Sequence, residues 1–175
     1  MKKTVLMILF LCAVMLLAAG CKPGREQKPP ENTANLGNPW IETDKDGFVQ
    51  KLGLDLNIPA GAKDVVFRVN EGEKLGEMNF TLDGIGFNAR VKPAGTFEDI
   101  SGMNYTWDHV EEGNLHWHQE KHMKGKDGDQ TVEVFLWHDV VPGIMYSLSC
   151  KQPDADGFDI TAVALMVYKP MQGNA

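Results

Sequence analysis

Basic residues are in short supply: 17 Lys and Arg stand against 24 Asp and Glu, a formal charge of −7. Phosphate backbones and anionic headgroups repel a chain of that sign, so nucleic acid and bare anionic lipid are excluded as main partners. Cysteine is scarce too. Cys12, Cys21 and Cys150 are the three present, too few for the disulfide framework of a small secreted scaffold. No apolar run reaches the ~20 residues of a membrane-spanning helix. Internal repeats are absent, and so is any Ser-His-Asp order or nucleophile elbow. Gly84-Ile85-Gly86-Phe87-Asn88-Ala89 has dinucleotide-motif spacing but lies between two expected strands. The motif works only where a strand feeds a helix N-terminus. No catalytic residue is assigned, no cofactor is expected, and the chain is not read as an enzyme. Its 43% apolar and 23% charged residues nevertheless describe an ordinary folded chain, and 175 residues suit one domain.

What is present begins at the N-terminus. Lys2 and Lys3 precede fifteen unbroken apolar residues, Val5 to Ala19, followed by Gly20 and Cys21. That length suits a secretory signal rather than a span. Leu17-Ala18-Ala19-Gly20-Cys21 resembles a bacterial lipobox. The resemblance implies a lipoprotein signal peptide over residues 1–20, lipidation of Cys21 with a diacylglyceryl group, and cleavage before it. The mature chain would sit on the extracytoplasmic face of the cell membrane, held by acyl chains that each bury ~0.8 kcal/mol per methylene. Cleavage would remove two basic residues and no acid, leaving 15 against 24, a charge of −9. Cys150 would be the remaining free thiol, and an extracytoplasmic thiol is safest buried.

Residues 21–37 carry Pro23, Pro29 and Pro30 among polar and charged residues, with no apolar period. They read as a flexible tether. A single domain is expected over residues 38–170. Thr43 to Leu52 reads as a helix capped by Thr43 or Asp44, with Gly53 just past its end. Strands are expected at Val65–Val69, Leu75–Leu82 and Ile85–Val91, the last two joined by Asp83-Gly84. Phe97 to Glu112 is less regular. Asn114–Lys124 and Gln130–His138 read as a hairpin turning at Lys126-Asp127-Gly128-Asp129. Ile144, Tyr146, Leu148 and Cys150 share one face of a further strand. Phe158 to Tyr168 reads as a helix capped by Asp156 or as a last strand. Apolar residues on both faces of Val134–Trp137 call for a central strand covered on each side. The expected class is α+β, an antiparallel sheet of about six strands with one or two helices packed on one face.

Asn38-Pro39-Trp40-Ile41-Glu42, Glu98-Asp99-Ile100-Ser101-Gly102, Val134 to Trp137, and Tyr146-Ser147-Leu148-Ser149 together resemble a small extracytoplasmic domain of unknown function. Such domains occur in lipoproteins and membrane-tethered, anti-sigma-factor-like proteins of Gram-positive bacteria. The resemblance covers residues 38–150 and implies no catalytic residues. The C-terminal segment is apolar where that family shows a charged amphipathic helix. With no zinc-binding anti-sigma module upstream, the resemblance does not imply a direct anti-sigma role.

All five histidines fall between residues 109 and 138. His116, His118, Glu120 and His122 alternate, so on one unbroken strand they share a face. Imidazole is a common zinc or copper ligand. At ~3.3 Å per residue, His116 and His122 lie too far apart for one ion. A metal site would therefore use His116 and His118, with His138 from the next strand. Hairpin register decides: paired positions summing to an even number place His138 on the His116 face, an odd sum on the Trp117 face. The plainer reading is a solvated polar face, since zinc sites need three or four convergent ligands. Asp154-Ala155-Asp156-Gly157 superficially resembles a calcium loop, but the glycine is misplaced and Leu165 stands where a bidentate acid belongs. Trp117 and Trp137 read as core. Tyr105 and Trp107, in the irregular stretch, are the candidate binding surface. The sequence thus points to a membrane-anchored, non-catalytic binding or sensing module. An envelope protein or glycan is the candidate partner. A zinc- or copper-binding lipoprotein is the alternative.

Overall fold

The computed structural model describes residues 39–153 and 158–171. The expected signal peptide, Cys21, the tether and the Asp154–Gly157 turn lie outside the described residues. Among those described, eight strands and two helices follow in order: β1 (Ile41–Thr43), α1 (Lys45–Leu52), β2 (Lys63–Asn70), β3 (Leu75–Leu82), β4 (Ile85–Pro93), β5 (Trp107–Leu115), β6 (His118–Asp127), β7 (Gln130–Asp139), β8 (Ile144–Pro153) and α2 (Ile160–Val167). The strands form one sheet in the order β1-β2-β3-β4-β8-β7-β6-β5, antiparallel throughout.

The architecture is an antiparallel sheet with two helices, one near each end of the domain. The sheet is wider than the six strands expected. The added strands are the two edges. β1 is only three residues long, and β5 is rich in Asp, His and Glu with little apolar alternation. Edge strands need no continuous apolar face, which removes the signal that betrays a strand in sequence.

Alternation and register sort the side chains onto two faces. One face carries Phe67, Val69, Met78, Phe80, Phe87, Ala89, Val91, Trp137, Tyr146, Leu148 and Cys150, in one cluster with Phe48 of α1 and Ile160, Val163 and Val167 of α2. Asp44 caps α1 by accepting from the Gly47 amide, 2.7 Å away, and Gly53 closes it at φ +68°. Phe48 rests on Gly76, where an added Cβ would lie 2.4 Å from the ring. That glycine lets helix and sheet approach closely.

The other face is covered by the chain itself. β4 and β5 are adjacent in sequence but four places apart in the sheet, so the link at 94–106 must cross β8, β7 and β6. Ala94, Phe97, Ile100 and Met103 of this link pack on Leu75, Met123, Val134, Leu136 and Met145. β7 is thus buried on both faces, with Phe135 and Trp137 toward the helices and Val134 and Leu136 toward the link.

Two local expectations are corrected. The strand expected over Asn114–Lys124 breaks at His116-Trp117, which form the turn between β5 and β6, with Leu115 paired to His118. Trp117 is therefore no core residue: it stands at the turn, 63% exposed. The C-terminal segment is the helix α2, capped by Asp159 rather than Asp156. Its carboxylate accepts from the Thr161 amide at 2.9 Å.

Candidate functional site

The helix face is not uniformly covered. α2 lies across β7 and β8. Beyond it, β6 presents His118, Glu120, His122 and Lys124, and β5 presents His109 and Glu111. The step between covered and uncovered sheet forms a cleft of about 340 Å³. Phe135 and Trp137 of β7 lie at its base. Thr161, Ala164, Leu165 and Tyr168 border it from the helix side, and His118 and Glu120 from β6. A second hollow of about 200 Å³ continues along β5 and β6 past Glu111, Glu112, Gly113 and His122, sharing Glu120, Phe135 and Thr161 with the first.

The rings hold one another. Phe135 and Trp137 have centroids 5.5 Å apart, and Tyr168 meets Trp137 edge-on at 6.3 Å and 77°. Tyr146 stacks beneath Trp137 at 5.1 Å and 3°. Such pairs stabilise by about 0.5–1.5 kcal/mol beyond their burial, so the aromatic base is stiff.

The polar groups are also fixed. Buried Asp139 takes a 2.7 Å hydrogen bond from the Tyr168 hydroxyl and one from His118 Nδ1 at 3.3 Å. The second orients the imidazole, whose Nε2 lies 3.5 Å from Glu120. Burial and then the Asp139 carboxylate push the Tyr168 hydroxyl up to about 12, so it stays a donor. Deeper along β6, Glu133 is 1% exposed and accepts from His122 Nε2 at 2.7 Å, Lys124 Nζ at 2.9 Å and Gln152 Nε2 at 3.1 Å. Burial alone would raise its pKa; the His122 and Lys124 hydrogen bonds and charges prevail and hold it below the usual range. Burial, then the nearby Glu133 carboxylate, pushes the Cys150 thiol up to about 12. It is an unreactive core group.

The histidines proposed for a metal do not converge. His118 pairs with Asp139 and His138 with Gln119, so the register sum is odd and His138 points to the link face. There it is buried, with Nε2 donating to the Ala94 carbonyl at 3.0 Å and Nδ1 3.4 Å from Gln119 Oε1. His116 sits in the exposed β5–β6 turn. Only His118 reaches the cleft, and among the described residues no three His, Cys, Asp or Glu side chains group as metal ligands.

Tyr105 and Trp107 are half-buried rather than freely exposed. The Tyr105 hydroxyl donates to Asp127 at 3.2 Å, and Lys151 Nζ lies 5.2 Å from its ring centre while bonding Asp127 at 2.6 Å. Trp107 packs on the link-face core. Both pin the start of β5. The residues that build the cleft read differently in sequence. Trp137 looks like core, which it also is, and Tyr168 has no local signal linking it to β6.

No family model matches the chain, and no curated protein or solved structure matches it either.

Proposed function

We propose that this chain is a lipid-anchored extracytoplasmic binding module, tethered through Cys21, that takes a small ligand in the cleft between β6, β7 and α2. The anchor rests on the lipobox-like run ending in Cys21 and on the resemblance of residues 38–150 to extracytoplasmic lipoprotein domains. The binding role rests on one observation: three stiffened rings and two β6 polar side chains border the same hollow. Apolar walls with a few placed polar groups are the usual make-up of a small-molecule site. The groups around it favour binding over chemistry. Asp139 is committed to His118 and Tyr168, and the Thr161 hydroxyl to Asp159 at 2.5 Å, so the polar atoms serve orientation.

Two measurements test the two halves separately. Mass spectrometry of the natural product is expected to find an acylated Cys21 at the N-terminus; a chain still carrying residues 1–20 overturns the anchor. Screening small soluble fragments against the Trp137 indole N–H resonance is expected to give saturable shifts. Leu165→Arg, at a position 75% exposed on the cleft wall, is expected to abolish them. Shifts unaffected by that change place binding elsewhere.

A further inference from the structure

We propose that the cleft selects a small organic ammonium ion, a cationic head on a short apolar body. The inference rests on the cleft being a ligand site and adds the chemical class. Three facts carry it. The cleft gathers the π-systems of Phe135, Trp137 and Tyr168 in one hollow of about 340 Å³. An aromatic ring attracts a cation within about 6 Å of its centre, and desolvation strengthens the attraction.

The charge is of one sign. Glu120, with its side chain 45% exposed, borders the cleft, and the adjoining hollow adds Glu111 from the same face. No lysine or arginine lines either hollow. Lys124, the next cation on β6, is bound to Glu133 at 2.9 Å, and Lys121 points to the link face, bonded to Glu112 at 2.8 Å. A carboxylate or phosphate head would meet Glu120 with no lysine or arginine to pair with, and burying it there carries a desolvation cost.

The hydroxyl and His118 Nδ1 donors are spent. The Tyr168 hydroxyl gives its proton to Asp139, the Thr161 hydroxyl to Asp159, and His118 Nδ1 to Asp139. What faces the hollow is the Glu120 carboxylate, the His118 imidazole and the aromatic rings, with the Trp137 indole N–H as the donor left over. That lining carries one carboxylate and no hydroxyl donor free for an anionic head.

The test uses the full chain in an uncharged maltoside detergent, with choline and its uncharged carbon isostere as probes. The readout is the Trp137 indole N–H resonance, identified by its loss in Trp137→Phe. Choline is expected to shift it saturably, with an affinity about tenfold above the isostere's. Glu120→Gln is expected to lower choline affinity about threefold and leave the isostere unchanged. Phe135→Leu, which keeps bulk and removes a ring, is expected to lower choline affinity more than that of the isostere. If the isostere binds as tightly as choline, the ammonium preference is wrong and the cleft as a site survives. If Glu120→Gln leaves choline affinity unchanged, the charge argument is wrong. If neither probe shifts Trp137, both the class and the site are overturned.

Discussion

The two faces of the sheet solve the same burial problem with different chemistry. On the helix face, β7 and β8 bury rings: Phe135, Trp137 and Tyr146 stack in series, and Tyr168 closes over them. On the link face, β3 and β4 bury a polar ladder. Glu77, 5% exposed, sits between Arg90 at 3.0 Å and Arg68 at 3.5 Å. Asn79 donates to Glu77 and Asn88 to Asn79, each at 2.8 Å. Arg90 reaches on to the Ile100 carbonyl at 3.2 Å and ties the crossing link down. Rings stabilise by area and shape and are indifferent to pH. A charge ladder specifies geometry and depends on ionisation. The face that must fasten a loop uses directional bonds, while the face that must leave a hollow uses rigid apolar walls.

That contrast can be broken in order of expected size. Trp137→Ala removes the base of the cleft and part of the core, and is expected to cost about 3–5 kcal/mol in urea unfolding at pH 7 and pH 4 alike. A strong pH dependence would show that the contribution of the rings is tied to a titrating group.

Glu77→Gln is expected to cost about 2–3 kcal/mol at pH 7, because Arg90 is left half-buried without its carboxylate. The loss should fade in acid. Burial works against the Glu77 charge, but hydrogen bonds from Asn88 and Asn79 and then Arg90 hold its pKa below the ordinary 4.5. A depressed carboxyl contributes its stability fully above the unfolded value and loses it as pH falls through the folded one. Wild type and Glu77→Gln should therefore converge in unfolding curves as the pH falls below the ordinary carboxyl range. Parallel curves down to pH 2 would sink the ladder's ionic role.

Glu133→Gln is expected to cost about 2 kcal/mol with the same acid convergence, since its carboxylate is also held low by His122 and Lys124. It carries the pH-dependent device onto the helix face, in β7 beside Phe135. Tyr168→Phe removes one hydrogen bond to Asp139 and is expected to cost about 1 kcal/mol. Hydrogen exchange should show the change confined to α2 and the β7–β8 turn. Glu120→Gln, at an exposed position, is expected to stay within about 0.5 kcal/mol of wild type. A larger effect would make Glu120 structural and weaken its role toward a ligand.

Much of the sheet was readable in advance, where residues obey a local period. Leu75–Leu82 has the bounds expected of it, and Asp44 and Gly53 close α1 at positions the turn chemistry names. The double-sided apolar run of Val134–Trp137 led to a covered central strand. The cleft was less readable. Its base comes from β7, its charged side from β6 and its lid from α2, and which β6 residues face those rings depends on a one-residue choice of register. The same choice separates His138 from His118. The break at His116-Trp117 has no glycine or proline to announce it.

By itself, the amino-acid order determined the acidic charge, the scarcity of thiols, the apolar N-terminal run ending at Cys21, and most strands and caps, because these depend on composition or on neighbours a few residues apart. Only the tertiary structure decided that Phe135, Trp137, Tyr168, His118 and Glu120 border one hollow and that Glu77 and Arg90 lock the opposite face. Those relations depend on strand register and on where a crossing link and a terminal helix come to rest. No local pattern encodes a distance between segments that meet only after the sheet has formed.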